Sequence, residues 1–219
     1  MEYPFVTLDF EDRSPEEMRK RAREFHEDLA RRRSVRHFSP RAVPREAVID
    51  AIRTAGSAPS GAHKQPWSFV LIESAEVKAK IREAAELEEK KSYEERMPEE
   101  WLEDLAPLGT DWHKPYLEIC PYLIAVFAQP FAETPAGKRK HYYVQESVGI
   151  AVGFLLAALH RAGLATLTHT PSPMNFLRDV LDRPKSERAY MLIALGYPEA
   201  DCRVPDLKRK TLEEILSTA

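Results

Sequence analysis

Residues that could bind a phosphate group lie in segment 31–36, which reads Arg-Arg-Arg-Ser-Val-Arg. Alternate side chains of an extended backbone point to the same side, so Ser34 and Arg36 would lie together. A hydroxyl beside a guanidinium suits a phosphate, which arginine can bind through two parallel hydrogen bonds. The arginines at positions 31–33 also have a simpler interpretation as a solvated basic cap, because cations are favoured at the C-terminal end of a helix.

A second stretch with chemical potential is the loop 58–67, Ala-Pro-Ser-Gly-Ala-His-Lys-Gln-Pro-Trp. Small residues let the backbone approach a flat ligand, because glycine has no Cβ and serine adds a compact hydroxyl to the main-chain donors. The alternative is an ordinary turn between a helix that ends near Gly56 and an apolar strand at 67–72. The polar stretch Thr-Leu-Thr-His-Thr-Pro at 166–171 and the basic segment upstream favour the ligand-binding interpretation.

Glu89 and Tyr93 lie four residues apart, which places them on one face of a predicted helix from Ala75 to about Met97. The second half of this helix is nearly all polar and has little to bury. We therefore expect its far end to be mobile and to become ordered when a ligand binds. Residues 101–117 follow as an aromatic-rich lid candidate.

The elements that must position these residues follow from apolar periodicity. Strands are predicted at 67–72, 121–129, 165–168 and 190–195. Helices are predicted from Pro15 towards Arg33 and at 44–56, 75–97, 147–164 and 174–181, with a short one closing the tail. Residues 135–140 are predicted to form a polar loop. The mixture indicates an α+β fold, a sheet covered by helices.

Composition excludes several classes of protein. The chain has 219 residues and a formal net charge of -3, which does not support a broad nucleic-acid interface. The longest apolar run, 148–159, is shorter than the roughly 18–20 residues that a membrane helix needs. The N-terminus has no basic and apolar signal regions, so we predict a cytoplasmic protein without a membrane anchor.

Signatures of several common enzymes do not occur in the sequence. It has no Gly-x-Gly-x-x-Gly motif, no Walker loop, no His-Glu-x-x-His and no Gly-x-Ser-x-Gly. The two cysteines and seven histidines lack metal-ligand spacing, so no metal is predicted. If the protein is an enzyme, a bound organic cofactor is the expected agent.

Several motifs together resemble the nitroreductase superfamily, and within it the iodotyrosine deiodinase family. They are Arg-Arg-Ser-Val-Arg-His-Phe at 32–38, Ala-Pro-Ser-Gly-Ala-His-Lys-Gln-Pro-Trp-Ser-Phe at 58–69, Arg-Thr-Ala-Gly at 53–56, Lys-Arg-Lys-His-Tyr-Tyr at 138–143, Leu-Leu-Ala-Ala-Leu at 155–159 and Val-Pro-Asp-Leu-Lys-Arg-Lys at 204–210. The resemblance implies a central, mostly antiparallel sheet flanked by helices, in an intertwined homodimer that binds FMN. It implies an N-terminal extension and helix at 1–30, and a single FMN-binding domain at 31–219 with a lid at about 87–117.

The resemblance also implies a set of cofactor-binding residues. Those expected to hold the FMN phosphate and ribityl chain are Arg32, Arg33, Ser34, Val35, Arg36 and Arg209. Those expected beside the flavin ring are Pro59, Ser60 and Gly61 from the partner subunit, together with Thr168, His169 and Thr170. Thr170 matches the threonine that hydrogen-bonds flavin N5, a catalytic role that would favour one-electron transfer. His169 stands where mammalian members have another threonine.

For the substrate, Glu89, Tyr93 and Lys114 match the three residues with which the family binds an amino-acid zwitterion. Ala62 matches the position whose N–H meets the substrate phenolate. The implied function is FMN-dependent reductive dehalogenation of 3-iodotyrosine and 3,5-diiodotyrosine to tyrosine and halide. Its electrons would come from a nicotinamide such as NADPH, with a separate reductase as one route. The alternatives are a broad-specificity FMN nitroreductase or quinone reductase, and a non-catalytic flavoprotein that binds halotyrosines.

Overall fold

A computed structural model describes residues 3–219, and the chain divides into an N-terminal unit that ends at Arg32 and a main unit that begins at Arg33. The N-terminal unit contains one helix, α1 (Pro15–Ala30). The Ser14 hydroxyl caps this helix by accepting a hydrogen bond from the N–H of Glu17 at 3.2 Å. The helix ends at Ala30, three residues before the predicted end.

The main unit combines helices with two antiparallel sheets. Its α-helices are α2 (Arg45–Gly56), α3 (Ala75–Lys91), α4 (Glu99–Leu105), α5 (Tyr116–Ile119), α6 (Val144–Arg161), α7 (Asn175–Val180) and α8 (Leu212–Ile215). Its strands are β1 (Trp67–Ile72), β2 (Tyr122–Ala128), β3 (Phe131–Thr134), β4 (Gly137–Lys140), β5 (Ala165–His169) and β6 (Arg188–Gly196).

The larger sheet has the strand order β1-β2-β6-β5, and every neighbouring pair is antiparallel. Strand β2 lies in its interior and is apolar throughout, because helices cover both faces of the sheet. Leu123 and Phe127 belong to one core cluster, which includes Leu117 of α5 and Leu177 of α7. The alternate residues of β2 belong to a second cluster, which includes residues of α2 and α6. The predicted α+β class and mostly antiparallel sheet are confirmed.

The predicted polar loop at 135–140 is wrong. Strands β3 and β4 form a two-stranded hairpin, with Phe131 opposite Lys140 and Thr134 opposite Gly137. All four residues of β4 are exposed, so no buried face produces the apolar alternation from which strands are recognised. Backbone pairing defines this element, with a hydrogen bond from the Thr134 hydroxyl to the Gly137 carbonyl oxygen at 2.7 Å.

The long helix predicted from Ala75 to Met97 changes character at Ser92. Helix α3 ends at Lys91 and continues as a π-helical turn, Ser92–Arg96, before the backbone becomes extended at Met97. Pro98 follows, and the residue before a proline is restricted to extended conformations. No helix in the described part of the chain has the length and apolar character to cross a membrane.

Candidate functional site

A cavity of about 300 Å³ lies in the main unit, between the segment 89–116 and the end of β5. Three of the predicted substrate-binding residues line it: Glu89, Tyr93 and Lys114. Four of the predicted cofactor-binding residues line it as well: Arg36, Thr168, His169 and Thr170. The structure therefore brings these two sets together around one space.

Glu89 and Lys114 form an ion pair, with Lys114 Nζ 3.2 Å from Glu89 Oε2. The two side chains are 12% and 4% exposed, so the pair is held largely out of water. Lys114 Nζ also lies 3.4 Å from the Thr110 hydroxyl and donates a hydrogen bond to the carbonyl oxygen of Asp111. Opposite charges at this separation and burial attract each other strongly.

Helix α3 positions both members of this pair. Glu89 lies in its last turn, and the main-chain N–H of Lys114 donates to Glu86 Oε1 at 2.6 Å, one turn earlier. Glu86 is held in turn by Arg82, whose Nε lies 2.7 Å from the same carboxylate oxygen. The long polar face of α3 thus anchors the chain at residue 114.

Tyr93 lies beside this pair. Lys114 Nζ is 5.7 Å from the centre of its ring, and its hydroxyl donates to the carbonyl oxygen of Thr110 at 3.4 Å. Burial, and secondly the nearby Glu89 carboxylate, raise the pKa of Tyr93 above its ordinary value. The side chain therefore stays a neutral phenol that can both donate and accept.

The polar turn after α3 is attached to the loop that follows β5, a contact that the sequence did not reveal. The Ser92 hydroxyl and Arg96 Nη1 both donate to the carbonyl oxygen of Ser172, at 3.3 and 3.1 Å. Arg96 also forms an ion pair with Glu88 at 3.1 Å. The segment predicted to be mobile thus has polar contacts in place of apolar burial.

Residues 168–170, at the end of β5, all line the cavity, but their burial alternates. Thr168 and Thr170 are exposed, whereas His169 is 6% exposed. His169 Nδ1 lies 3.0 Å from the hydroxyl of Tyr116, a residue that the sequence marked only as one aromatic of the lid. Burial, and secondly the Lys114 ammonium, lower the pKa of His169 to about 3, so the imidazole is neutral. Its Nε2 is buried and finds no hydrogen-bond partner in residues 3–219.

The basic segment runs alongside the start of β5. Ser34 forms a parallel bridge with Thr166, and the N–H of Val35 donates to the Thr166 carbonyl oxygen at 3.1 Å. The Val35 side chain is buried, while Ser34 and Arg36 are partly exposed. Ser34 and Arg36 therefore alternate with Val35 as predicted, and the Val35 side chain and N–H are engaged within the protein.

The outer cationic residues have different positions. Arg33 donates a hydrogen bond to the carbonyl oxygen of Pro205, which brings the start of the tail to the basic segment. Arg209 is exposed four residues further along that tail. Arg32 closes the N-terminal unit, where its N–H donates to Leu29, and its predicted role stays a prediction.

The loop 58–67 has an unusual backbone. Ala62, His63 and Gln65 have positive φ values of 50°, 52° and 46°, a conformation that is rare outside glycine and concentrates at functional sites. The Ser60 hydroxyl holds this shape by accepting from the N–H of Gln65 at 2.9 Å. The N–H of Ala62 makes no hydrogen bond within the described residues.

Gly61 fixes this loop against the start of α6. Its N–H donates to the Ser147 hydroxyl at 3.3 Å, and a Cβ in its place would lie 2.9 Å from the carbonyl oxygen of Tyr142. None of residues 59–62 lines the cavity of the same chain.

Comparisons with known proteins show the family to which the chain belongs. A model of the nitroreductase family matches residues 29–197. The chain belongs to the nitroreductase family. It is 57% identical to the iodotyrosine deiodinase of Haliscomenobacter hydrossis, over 94% of this chain and 92% of that protein. It is 50% identical to human iodotyrosine deiodinase 1, over 92% of this chain and 71% of that protein.

Among solved structures, the chain resembles an oxidised iodotyrosine deiodinase bound to FMN and 3-iodo-L-tyrosine. The TM-score is 0.75 at 30% sequence identity, covering 86% of this chain and 96% of that chain. It also shares its fold with an FMN-bound nitroreductase from Bacteroides fragilis, at a TM-score of 0.65 and 21% identity, covering 90% of this chain and 98% of that chain.

Proposed function

We propose that this chain is an FMN-dependent oxidoreductase that removes iodine from 3-iodotyrosine and 3,5-diiodotyrosine to give tyrosine and iodide. The observation that carries the proposal is the Glu89–Lys114 ion pair at 3.2 Å, in a cavity also lined by residues 168–170. An anion and a cation held side by side complement an amino-acid zwitterion. A general nitroreductase has no need for that pair, and the identity to iodotyrosine deiodinases adds independent support.

The hydrogen-bond donors and cations of this site fit FMN. Arg33 and Arg36 offer two cations and Ser34 a hydroxyl to its phosphate. Arg32, directly before this segment, and Arg209, in the C-terminal tail, would add positive charge. Thr168, His169 and Thr170 would contact the flavin ring, with the Thr170 hydroxyl donating to N5. The buried Nε2 of His169, which has no partner in the described chain, is the kind of atom that a bound ring would satisfy. When bound, FMN supplies the electrons for the reduction.

The substrate would be oriented by its polar ends. Glu89 would accept from the ammonium, Lys114 would donate to the carboxylate, and the Tyr93 phenol would serve either group. Ala62 lies outside the cavity of its own chain, so the N–H of Ala62 from a second copy would donate to the phenolate oxygen at the other end of the substrate. In the balanced reaction the C–I bond is replaced by a C–H bond, two electrons and one proton are consumed, and iodide leaves.

The proposal includes a homodimer, because the residues assigned to the flavin do not all meet in one chain. Pro59, Ser60 and Gly61 lie outside the cavity, on a loop attached to the start of α6, and a second copy would supply them. On α6, Ile150 and Phe154 are 42% and 40% exposed, an apolar surface that a partner would cover. A monomer in sedimentation that still holds FMN tightly would contradict this arrangement.

We further propose electrons derived from a nicotinamide, directly or through a separate reductase, and a cytoplasmic location. Both cysteines of the described chain, Cys120 and Cys202, are free thiols, which suits a reducing compartment.

The test is an anaerobic turnover experiment. The FMN-loaded protein is reduced with dithionite, 3-iodotyrosine is added, and tyrosine and iodide are measured against free FMN at the same concentration. Repeated stoichiometric tyrosine release is expected. Fast flavin reoxidation by a nitroarene without any tyrosine would indicate a general nitroreductase, and slow reoxidation by every acceptor would indicate a binding protein.

A further inference from the structure

The hydrogen bond between Tyr116 and His169 determines which nitrogen of the imidazole carries the proton. The Tyr116 hydroxyl has His169 Nδ1, at 3.0 Å, as its partner, and both side chains are buried, at 5% and 6% exposure. If Tyr116 donates, Nδ1 accepts and the proton of the neutral ring must sit on Nε2. If Nδ1–H donated instead, the tyrosine proton and the Nε2 lone pair would both be left unsatisfied. The first arrangement leaves only one group unsatisfied.

That remaining group is a buried donor without a partner. His169 Nε2 has no hydrogen-bond partner within residues 3–219, although His169 lines the cavity together with the two threonines beside it. Burial and the Lys114 ammonium keep the ring neutral, and burial raises the pKa of Tyr116 so that its hydroxyl keeps its proton. Native proteins rarely leave such a donor unsatisfied, so an acceptor on a bound group is expected there.

We propose that Tyr116 fixes His169 in its Nε2–H form and that this N–H donates to an acceptor atom of the bound flavin ring. The ring edge carries carbonyl oxygens and unprotonated nitrogens, which are the acceptors that an N–H donor requires. His169 would thus contact the cofactor, and Tyr116 is a positioning residue that acts through it. The inference rests on the proposed function, because it requires FMN in this cavity.

Two substitutions at His169 test the roles of its two ring nitrogens separately. The side-chain amide of His169→Gln can place an N–H near the Nε2 position, whereas that of His169→Asn reaches only as far as Nδ1 and loses the distal donor. FMN release into flavin-free buffer, followed by flavin fluorescence on the loaded full-length proteins, should be about tenfold faster in His169→Asn and close to wild type in His169→Gln. Tyr116→Phe should fall between them, because its imidazole can take either tautomer.

A spectroscopic readout keeps the test independent of how the variants fold. In FMN-loaded wild type, ¹⁵N NMR of the imidazoles should show His169 protonated at Nε2 and bare at Nδ1, with a slowly exchanging Nε2 proton. In Tyr116→Phe the two nitrogen signals should move towards a mixture of tautomers.

The outcomes distinguish this inference from the proposed function. A proton on Nδ1 in the loaded wild type, or equal FMN release from all variants, would overturn the inference while FMN binding stands. An Nε2 proton that exchanges as fast as one bonded to water would do the same. If wild-type protein does not retain FMN at all, the proposed function itself fails.

Discussion

Replacing Lys114 with methionine should weaken the binding of 3-iodotyrosine far more than any change on the protein surface. Lys114 Nζ lies 3.2 Å from Glu89 Oε2, and at an effective dielectric constant near 20 a pair at that distance attracts by about 5 kcal/mol. In Lys114→Met the substrate carboxylate would enter the same cavity without a cation, and leaving one charge of a buried pair without its partner costs about 2–5 kcal/mol. The low end of that range applies because the variant has no internal ion pair for the zwitterion to interrupt. Loss of about 2–3 kcal/mol is expected, which raises the dissociation constant about 30- to 150-fold.

The assay is a titration of FMN-loaded protein with 3-iodotyrosine, followed by flavin fluorescence. A second ligand, 2-iodophenol, has the iodinated ring without the amino-acid group, and its affinity should not change. Lys80→Met is the matched control, because it removes an ion pair with Glu76 at 2.7 Å on the exposed side of α3, the helix that carries Glu89. Unchanged iodotyrosine affinity in Lys114→Met would refute the assignment. An equal loss for iodophenol would show that the variant has lost the lid and not a specific contact.

Three further predictions concern the loop, the lid and the buried histidine. Gly61→Ala should destabilise the protein by about 1–3 kcal/mol and speed FMN release, because its Cβ would lie 2.9 Å from a main-chain carbonyl oxygen. Gly56→Ala, with nothing within 4 Å of the new Cβ, is its control, and equal thermal shifts would contradict this. Arg96→Met removes a hydrogen bond to the loop after β5, so it should increase the rate of amide hydrogen exchange in the turn after α3. It should also weaken iodotyrosine binding severalfold while FMN stays bound. An unchanged exchange rate would count against that contact. Burial first, and then Lys114, lower the pKa of His169 from 6.5 to about 3, so the unfolded chain binds the extra proton between these values. The free energy of unfolding should therefore be highest above pH 6.5 and should be lower by about 2 kcal/mol at pH 5. Urea unfolding at a series of pH values checks this, and His169→Gln should lack that loss.

Sequence reasoning located most of the fold because apolar periodicity marks buried elements. Strand β1 has the predicted bounds, and β2, β5 and β6 lie where apolar runs placed them. It did not find the exposed hairpin β3–β4, whose side chains have no buried face. It also placed the start of α6 three residues late, since Val144 follows Tyr143 at a positive φ of 49° that no sequence pattern announces.

The candidate site was accessible from the sequence only where a family motif fixed the residues. Spacing alone put Glu89 and Tyr93 on one helical face, but nothing in the spacing placed Lys114, 25 positions after Glu89, beside them. The Tyr116–His169 bond joins positions 53 residues apart and depends on how α5 packs against the end of β5. Such contacts are set by tertiary packing, which has no local signature.

The polar end of α3 and the turn after it make contacts that composition alone does not reveal. Its mobility without a ligand stays a prediction, but Glu86 and Glu89 of α3 and Arg96 of the turn after it each contact another segment. The Glu89–Lys114 pair has a further consequence for binding. Both charges are already largely desolvated in the free chain. The cost of desolvating them is therefore part of the free energy of folding and is not added to the free energy of binding a zwitterion. If the proposed substrate binds here, the ion pair between the two residues would make the site selective for an amino-acid end, because a ligand without both charges cannot replace the attraction that it interrupts.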